Sequence, residues 1–165
     1  MPILDQRALE FISHAPEQTV RLGVRLGERL RPGDVIGLSG ELGSGKTTFV
    51  SGVGRGWGVL EPVTSPTFVL VNEYRRADGL CLWHLDCYRL RSGAEALAIG
   101  FDDLLNAEGV IVIEWPEHIL EVLPAERLML TLRWVEAEKR AFRMDAVGKR
   151  YEELLGEFRR ATFGG

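Results

Sequence analysis

A glycine-rich stretch in the first third of the chain constrains the fold more than any other feature. Residues 40–47, GELGSGKT, match the pattern G-x-x-x-x-G-K-[ST] in full. An apolar run at 35–39 precedes them, and a helix is predicted from Lys46 to about Val53. The glycines let backbone N–H groups turn inward around phosphate oxygens, Lys46 would reach the β- and γ-phosphates, and the Thr47 hydroxyl would hold Mg²⁺. The sequence therefore predicts a nucleotide-binding loop between a buried strand and a helix.

The order of the other predicted elements indicates an α/β fold, a P-loop NTPase sandwich. Strands and helices alternate early in the chain, and hairpins follow, so we expect a mixed, mainly parallel sheet plus antiparallel hairpins. The predicted strands cover residues 35–39, 67–74, 80–88, 110–115, 127–134 and 139–147. Further helices are predicted at 16–30, after a capping-box pattern at Ser92, and near the end, where one apolar face carries Tyr151, Leu154, Leu155 and Phe158. At 165 residues, one ATPase domain over 1–165 is expected.

Composition excludes several functional classes. The net charge of −4 argues against gripping nucleic acid by bulk electrostatics, although a local basic patch is compatible with it. No apolar run approaches the roughly 20 residues needed to cross a bilayer, and the first residues lack a signal pattern, so a cytoplasmic protein is expected. Cys81 and Cys87 lie about 20 Å apart if they share one strand, too far for a disulfide, and are predicted to be buried thiols.

A phosphate loop needs a further carboxylate to complete a metal site, and two candidates stand out. Glu114 ends the most apolar run, VIVIEW, which is the usual position for that carboxylate; the alternative is a polar residue at a strand end. Asp86 lies in an apolar segment, where an unpaired charge is costly. A role on Mg²⁺ or on its bound water would explain Asp86, and a local salt bridge to Arg89 is the alternative.

ATP is the expected nucleotide. A GTPase normally carries an Asn-Lys-x-Asp base reader, and the only asparagines, Asn72 and Asn106, are in no such motif.

Several segments, taken together, resemble the bacterial TsaE (formerly YjeE) family. They are GDVIGLSGELGSGKTTFVSGVGRGWG, VTSPTFVLVNEY, HLDCYRL, GFDDLL and IEWPE, in family order, over residues 33–117. The resemblance implies a small Mg²⁺-dependent ATPase required for threonylcarbamoyladenosine modification of tRNA. It would act with TsaB and the metal-containing transferase TsaD, and would meet tRNA only indirectly.

The resemblance also implies roles for individual residues. Lys46, Asp86 and Glu114 would be catalytic; Thr47, Asp86 and Glu114 would hold the metal; Trp115 would lie beside the nucleotide. The loop residues expected to contact ATP are Glu41, Leu42, Gly43, Ser44, Gly45, Lys46, Thr47 and Thr48. Many members have GDLGAGKT here, a mild difference that leaves the phosphate chemistry intact.

The resemblance further implies that the segment Ser65-Pro66-Thr67 forms a switch-like loop near the γ-phosphate. Pro66 fixes its own φ and restricts Ser65 to extended geometry, so the segment could order around a phosphate; a rigid turn is the alternative.

Hydrolysis is expected to reset a partner complex, and to be slow without partners. No arginine stands in a recognisable finger motif: Arg55 follows the phosphate-loop helix, and Arg89 could instead pair with Asp86. Two rival functions remain open, a small-metabolite kinase and a nucleotide-dependent binding module without useful turnover.

Overall fold

A single eight-stranded sheet runs through the molecule. The computed structural model describes residues 3–64 and 70–164. The strands are β1 Ile3–Leu4, β2 Ala8–Ser13, β3 Val35–Ser39, β4 Val71–Arg75, β5 Cys81–Asp86, β6 Gly109–Glu114, β7 Arg127–Glu136 and β8 Lys139–Val147. The helices are α1 Pro16–Gly27, α2 Lys46–Trp57, α3 Gly93–Ala98, α4 Phe101–Leu105 and α5 Lys149–Phe163, with a 3-10 helix at Pro116–Val122.

The strand order confirms the predicted α/β class, with a larger antiparallel share than expected. The order is β1-β2-β8-β7-β3-β6-β5-β4. The four central strands, β7, β3, β6 and β5, are mutually parallel. Antiparallel pairs flank them on both sides: β4 pairs with β5, and β7, β8, β2 and β1 pair antiparallel in that order. The phosphate-loop strand β3 therefore lies at the centre, between β6 and β7.

Helices cover both faces of the parallel centre, which makes the molecule a sandwich. On one face, α1, α2 and α5 bury a cluster that includes Leu26, Phe49 and Phe158. On the other face, α3, α4 and the 3-10 helix bury Phe101 and Ile119. All six residues of β6 are buried, as its continuous apolar run predicts for a central strand. The apolar face predicted for the last helix, Tyr151, Leu154, Leu155 and Phe158, is buried as well.

Glycines allow α1 and α2 to touch backbone to backbone. A Cβ atom built on Gly52 would lie 2.2 Å from the carbonyl oxygen of Val20, and one on Gly23 would lie 2.3 Å from that of Phe49. The glycines of α2 were expected to make this helix short or closely packed. The close packing is confirmed, whereas the helix extends to Trp57, beyond the predicted end near Val53.

Gly52→Ala is therefore expected to destabilise the protein by about 1–3 kcal/mol, because the backbone of α1 has to move away from the new methyl group. Gly156→Ala provides the matched control, since α5 leaves room there for a Cβ atom, the nearest atom being the flexible end of Arg160 at 3.4 Å. That control should gain up to about 1 kcal/mol from helix propensity alone. Urea unfolding of both variants measures the difference; an unchanged or higher stability for Gly52→Ala would contradict the packing.

Both cysteines are free and buried, as predicted. Burial, with a smaller contribution from Asp86, raises the pKa of the Cys87 thiol to about 12, so this thiol stays protonated at neutral pH. Among the described residues, no helix combines the length and the apolar character that crossing a membrane requires.

Some local features were missed or wrongly predicted. Strands β1 and β2 and helix α4 were not predicted. The predicted helix after Ser92 is confirmed, but the capping box is wrong: no side chain caps α3, and the N–H of Gly93 donates to the Glu121 carboxylate instead. The hairpin around Asp78-Gly79 is confirmed, with β4 beginning at Val71 and β5 ending at Asp86.

Candidate functional site

The glycine-rich loop joins β3 to α2 and has the backbone shape that its glycines allow. Gly40, Gly43 and Gly45 have φ values of 153°, 79° and 98°, which residues with a side chain rarely adopt. Gly45 is the N-cap of α2, and no side chain caps this helix. The first-turn N–H groups and the positive end of the helix dipole thus face the concave side of the loop, which suits an anion.

Ser44 lies inside this loop with its hydroxyl buried and, within the described residues, without a hydrogen-bond partner. A Cβ atom on Gly40 would lie 2.6 Å from the Ser44 Oγ, so the glycine leaves the space that the serine fills.

Ser44→Ala should accordingly stabilise the nucleotide-free protein by about 1 kcal/mol, because it removes a buried hydroxyl that is not hydrogen-bonded. Ser51→Ala is the control: the Ser51 hydroxyl donates to the carbonyl oxygen of Thr48 at 2.7 Å, so its removal should not stabilise the protein. Thermal unfolding of the two variants side by side measures this, and a loss of stability in Ser44→Ala would mean that its hydroxyl has a partner after all.

Three parallel strands end side by side next to the loop. Leu38 of β3 pairs in register with Glu114 of β6, and Glu114 pairs with Asp86 of β5. The two predicted carboxylates therefore sit on adjacent strand ends, and the phosphate loop leaves the third. Residues that are far apart in sequence are brought to one edge of the sheet, where α/β proteins bind ligands.

Lys46 connects the loop to this carboxylate pair. Its side chain is 6% exposed. The ammonium donates to the carbonyl oxygen of Gly40, lies 3.9 Å from Glu114 Oε1 and stands 4.4 Å from the centre of the Trp115 ring. Burial lowers the pKa of Lys46, and the carboxylates of Glu114, Asp86 and Glu117 oppose that shift. Phosphate oxygens would add negative charge beside the ammonium and favour its charged form.

Glu114 and Asp86 differ in their surroundings. Glu114 is buried, and its Oε2 lies 2.6 Å from the Nε2 of His84. Asp86 is half-buried and its Oδ1 accepts the N–H of Tyr88 at 3.0 Å. In the described part of the chain, no salt bridge joins Asp86 to Arg89, the structural alternative considered from the sequence.

The donor set suits Mg²⁺ better than a metal held by protein alone. No cluster of three or more His, Cys, Asp or Glu side chains forms a cage in residues 3–64 and 70–164. Thr47, Asp86 and Glu114 offer one hydroxyl and two carboxylates. Mg²⁺ typically takes one or two carboxylates, completing its shell with phosphate oxygens and water. The residues present therefore fit a metal that arrives with a nucleotide.

Trp115 has an unusual backbone conformation that could not be predicted from the sequence. Its φ of 59° and ψ of 49° are left-handed, which is rare for a bulky residue. Its N–H continues the sheet by donating to the carbonyl oxygen of Leu38 at 3.2 Å. The ring contacts Tyr88, with centroids 5.1 Å apart, and His118, at 5.5 Å. This backbone turn places the indole against Lys46, at the mouth of the loop.

The remaining predicted residues lie around this centre or outside the described chain. Thr47 is exposed at the start of α2, and Thr48 is half-buried. Glu41 is exposed, and Leu42 is 90% exposed at the tip of the loop. The predicted switch-like loop, Ser65-Pro66-Thr67, falls outside the described residues, so it stays a prediction.

Three residues near the site were given no role from the sequence. The Nε–H of Arg140, from β8, donates to the Gly43 carbonyl oxygen at 3.1 Å. Glu117 accepts the Ser39 hydroxyl at 2.7 Å, and His84 contacts Glu114. His84 belongs to the quoted segment HLDCYRL, and a role beside Asp86 could have been assigned to it, since it precedes Asp86 by two residues and so shares its face of a strand. For Arg140 there was no local signal, because 97 residues separate it from Gly43.

Comparison with known proteins places the chain in a family. The family model described as "Threonylcarbamoyl adenosine biosynthesis protein TsaE" matches residues 13–142. The tRNA threonylcarbamoyladenosine biosynthesis protein TsaE of Bacillus subtilis is 40% identical over 155 residues, covering 93% of this chain and 96% of that protein. The protein of the same name from Streptomyces coelicolor is 46% identical over 112 residues, or 67% of this chain and 76% of that one.

A solved structure agrees with these sequence matches. The crystal structure of YdiB from Bacillus subtilis superposes with a TM-score of 0.78 and 34% identity, and the match covers 98% of this chain and 97% of that one. The predicted P-loop NTPase-type fold is thereby confirmed. With a family model over most of its length and relatives of about 40% identity, the chain belongs to the TsaE family of threonylcarbamoyl adenosine biosynthesis proteins.

Proposed function

We propose that the protein is a Mg²⁺-dependent ATPase that acts with TsaB and TsaD in threonylcarbamoyladenosine modification of tRNA. The chain itself would be a single ATPase domain, located in the cytoplasm. A single observation carries the ATPase part: the ends of three parallel strands bring the phosphate-loop Lys46 to 3.9 Å from Glu114, with Asp86 in register beside it. The modification pathway rests on membership of the family.

The loop and α2 would hold the phosphates. The N–H groups from Gly43 to Thr48 would surround the oxygens, and Lys46 would neutralise the β- and γ-phosphates. Thr47, Asp86 and Glu114 would hold Mg²⁺. When bound, the metal would offset the negative charge that develops during phosphoryl transfer. A carboxylate of this pair would also orient the attacking water, since Glu114 lies 3.9 Å from the Lys46 ammonium and Asp86 is in register beside Glu114.

The nucleoside would extend away from the carboxylates. Because Asp86 and Glu114 flank β3 on one side, the other end of the ligand falls towards β7 and β8, on the opposite side. Arg140 already contacts the loop there, and Trp134, its register partner on β7, is 55% exposed. We propose these two side chains as neighbours of the nucleoside.

Partners would supply what the isolated chain lacks. Arg140 donates to three carbonyl oxygens, those of Gly43, Ala137 and Lys139, so its guanidinium is engaged away from the carboxylate pair. Within the described residues, no other arginine donates a hydrogen bond to the loop. A cation supplied in trans raises phosphoryl-transfer rates by about 10³–10⁵ in well-studied switches, and TsaB with TsaD are proposed to activate this site. The net charge of −4 agrees with an indirect contact to tRNA.

An ATPase assay with and without TsaB and TsaD, combined with mass analysis of tRNA, tests the proposal. Slow hydrolysis alone, faster hydrolysis with both partners and loss of repeated modification with Lys46→Ala are expected. Full-speed turnover alone, or stimulation by a small metabolite with transfer of phosphate to it, would favour a kinase. Nucleotide binding without partner-stimulated hydrolysis would leave a binding module.

A further inference from the structure

His84 is buried beneath the candidate site and makes one specific contact there. Its side chain is 0% exposed, and its Nε2 lies 2.6 Å from Glu114 Oε2. We propose that His84 is a positioning residue that fixes the Glu114 carboxylate, so that one oxygen stays with the imidazole and the other faces Lys46. The proposal rests on the ATPase function proposed above, and adds a residue to its machinery.

The strand register explains how the imidazole reaches the carboxylate. Strands β5 and β6 are parallel, with His84 opposite Val112 and Asp86 opposite Glu114. His84 thus lies one step deeper in the sheet than the carboxylate pair, on the same strand face as Asp86. The imidazole therefore reaches Glu114 Oε2 from the side nearer the start of the strands, while Lys46 lies 3.9 Å from the other oxygen, Oε1.

The contact with His84 restricts rotation of the Glu114 carboxylate, which would matter if this carboxylate binds a metal or a water molecule. The last torsion of a glutamate is broad, so a carboxylate with no fixed partner can exchange its two oxygens. A carboxylate that serves as a metal ligand is ionised and only accepts hydrogen bonds, so in that role Glu114 Oε2 would accept from the Nε2–H of His84. This bond leaves Oε1 facing the loop. Partners that orient a metal-binding side chain in this way commonly change metal affinity or activity about 10–100-fold when removed.

A contribution to stability does not explain why a histidine occupies this buried position. Its second ring nitrogen, Nδ1, is buried and has no hydrogen-bond partner in the described part of the chain. A buried polar atom without a partner costs free energy, which an aliphatic side chain in this apolar strand would avoid. A buried imidazole is therefore less favourable for stability here than an aliphatic side chain would be. What the imidazole provides, and an aliphatic side chain would not, is the hydrogen bond to Glu114.

Paired substitutions separate positioning from packing. His84→Gln keeps an N–H donor at a similar reach, whereas His84→Leu keeps the bulk and removes the donor. Each is made in the parent and in Glu114→Gln. The first readout, independent of turnover, is the Mg²⁺ concentration that half-saturates binding of a non-hydrolysable ATP analogue, measured by calorimetry. The second readout is ATP hydrolysis in the presence of TsaB and TsaD, with thermal unfolding as a check on folding.

We expect His84→Leu to raise the Mg²⁺ concentration that half-saturates analogue binding about 10–100-fold and to lower the rate of hydrolysis about 10–100-fold. In His84→Gln, both quantities should lie within a few-fold of their values in the parent. In Glu114→Gln, His84→Leu should change neither further, because it acts through that carboxylate. If His84→Leu does not fold, His84→Asn replaces it, since its shorter amide stays polar but does not reach Glu114.

Two results would overturn the proposal: parent-like Mg²⁺ dependence and hydrolysis in the variant that lacks the donor, or effects that add in full to those of Glu114→Gln. These outcomes are distinct from failure of the ATPase function, in which the unmodified protein itself shows no Mg²⁺-dependent nucleotide binding or hydrolysis.

Discussion

Lys46→Ala is expected to lower the affinity for ATP about 10²-fold or more. The side chain is buried between the loop carbonyl of Gly40, the Glu114 carboxylate and the Trp115 ring, which aims its ammonium at the mouth of the loop. Hydrogen bonds to charged groups contribute about 1.5–3 kcal/mol each, and the neutral backbone donors of the loop cannot replace the lost charge. Calorimetric titration with ATP and Mg²⁺ measures the effect.

A matched control is available because the chain has another lysine at the start of a helix. Lys149 is the first residue of α5 and is exposed. Lys149→Ala removes the same group from the other end of the molecule and should leave the affinity unchanged. Lys46→Met keeps the aliphatic length and should lose affinity like the alanine variant. Near-parent binding by either Lys46 variant would show that the lysine is not a phosphate ligand.

The parts of the site that the sequence predicts are those carried by contiguous residues. The strand at 35–39, the loop and the start of α2 follow one another, so their glycines, lysine and apolar run form a local pattern. Glu114 was also predictable, because a fully buried parallel strand appears as an apolar run and ends at the ligand edge of the sheet.

The parts that the sequence does not predict depend on distant chain segments. Arg140 meets Gly43 only after β7 and β8 have paired and β7 has joined β3. Likewise, β2 is short and finds its place by pairing with β8, near the other end of the chain. Trp115 adopts left-handed geometry where the chain turns from β6 into the 3-10 helix, a conformation that tryptophan does not favour intrinsically. Such features follow from packing, and local propensity gives no signal for them.

Glu114→Gln and Asp86→Asn are expected to spare much of the nucleotide binding and to lower partner-stimulated hydrolysis about 10²-fold or more. Each variant keeps the size of the side chain and removes a negative charge that the metal or the attacking water needs. Glutamine at 114 can still accept from His84, so the buried contact at 2.6 Å need not be lost. Reduced hydrolysis should then reflect the missing charge.

Glu108→Gln is the control for these charge removals. Glu108 is exposed and directly precedes β6, at the opposite end of the strand that carries Glu114. The same substitution there changes the net charge equally, yet it should leave hydrolysis at the parent rate. Titrating Mg²⁺ in each variant separates the two carboxylates: a direct metal ligand shifts the required Mg²⁺ concentration, whereas a residue that only orients water lowers the rate at saturating Mg²⁺. If Asp86→Asn hydrolyses ATP like the parent at every Mg²⁺ concentration, Asp86 is structural, and its bond to the N–H of Tyr88 is its role.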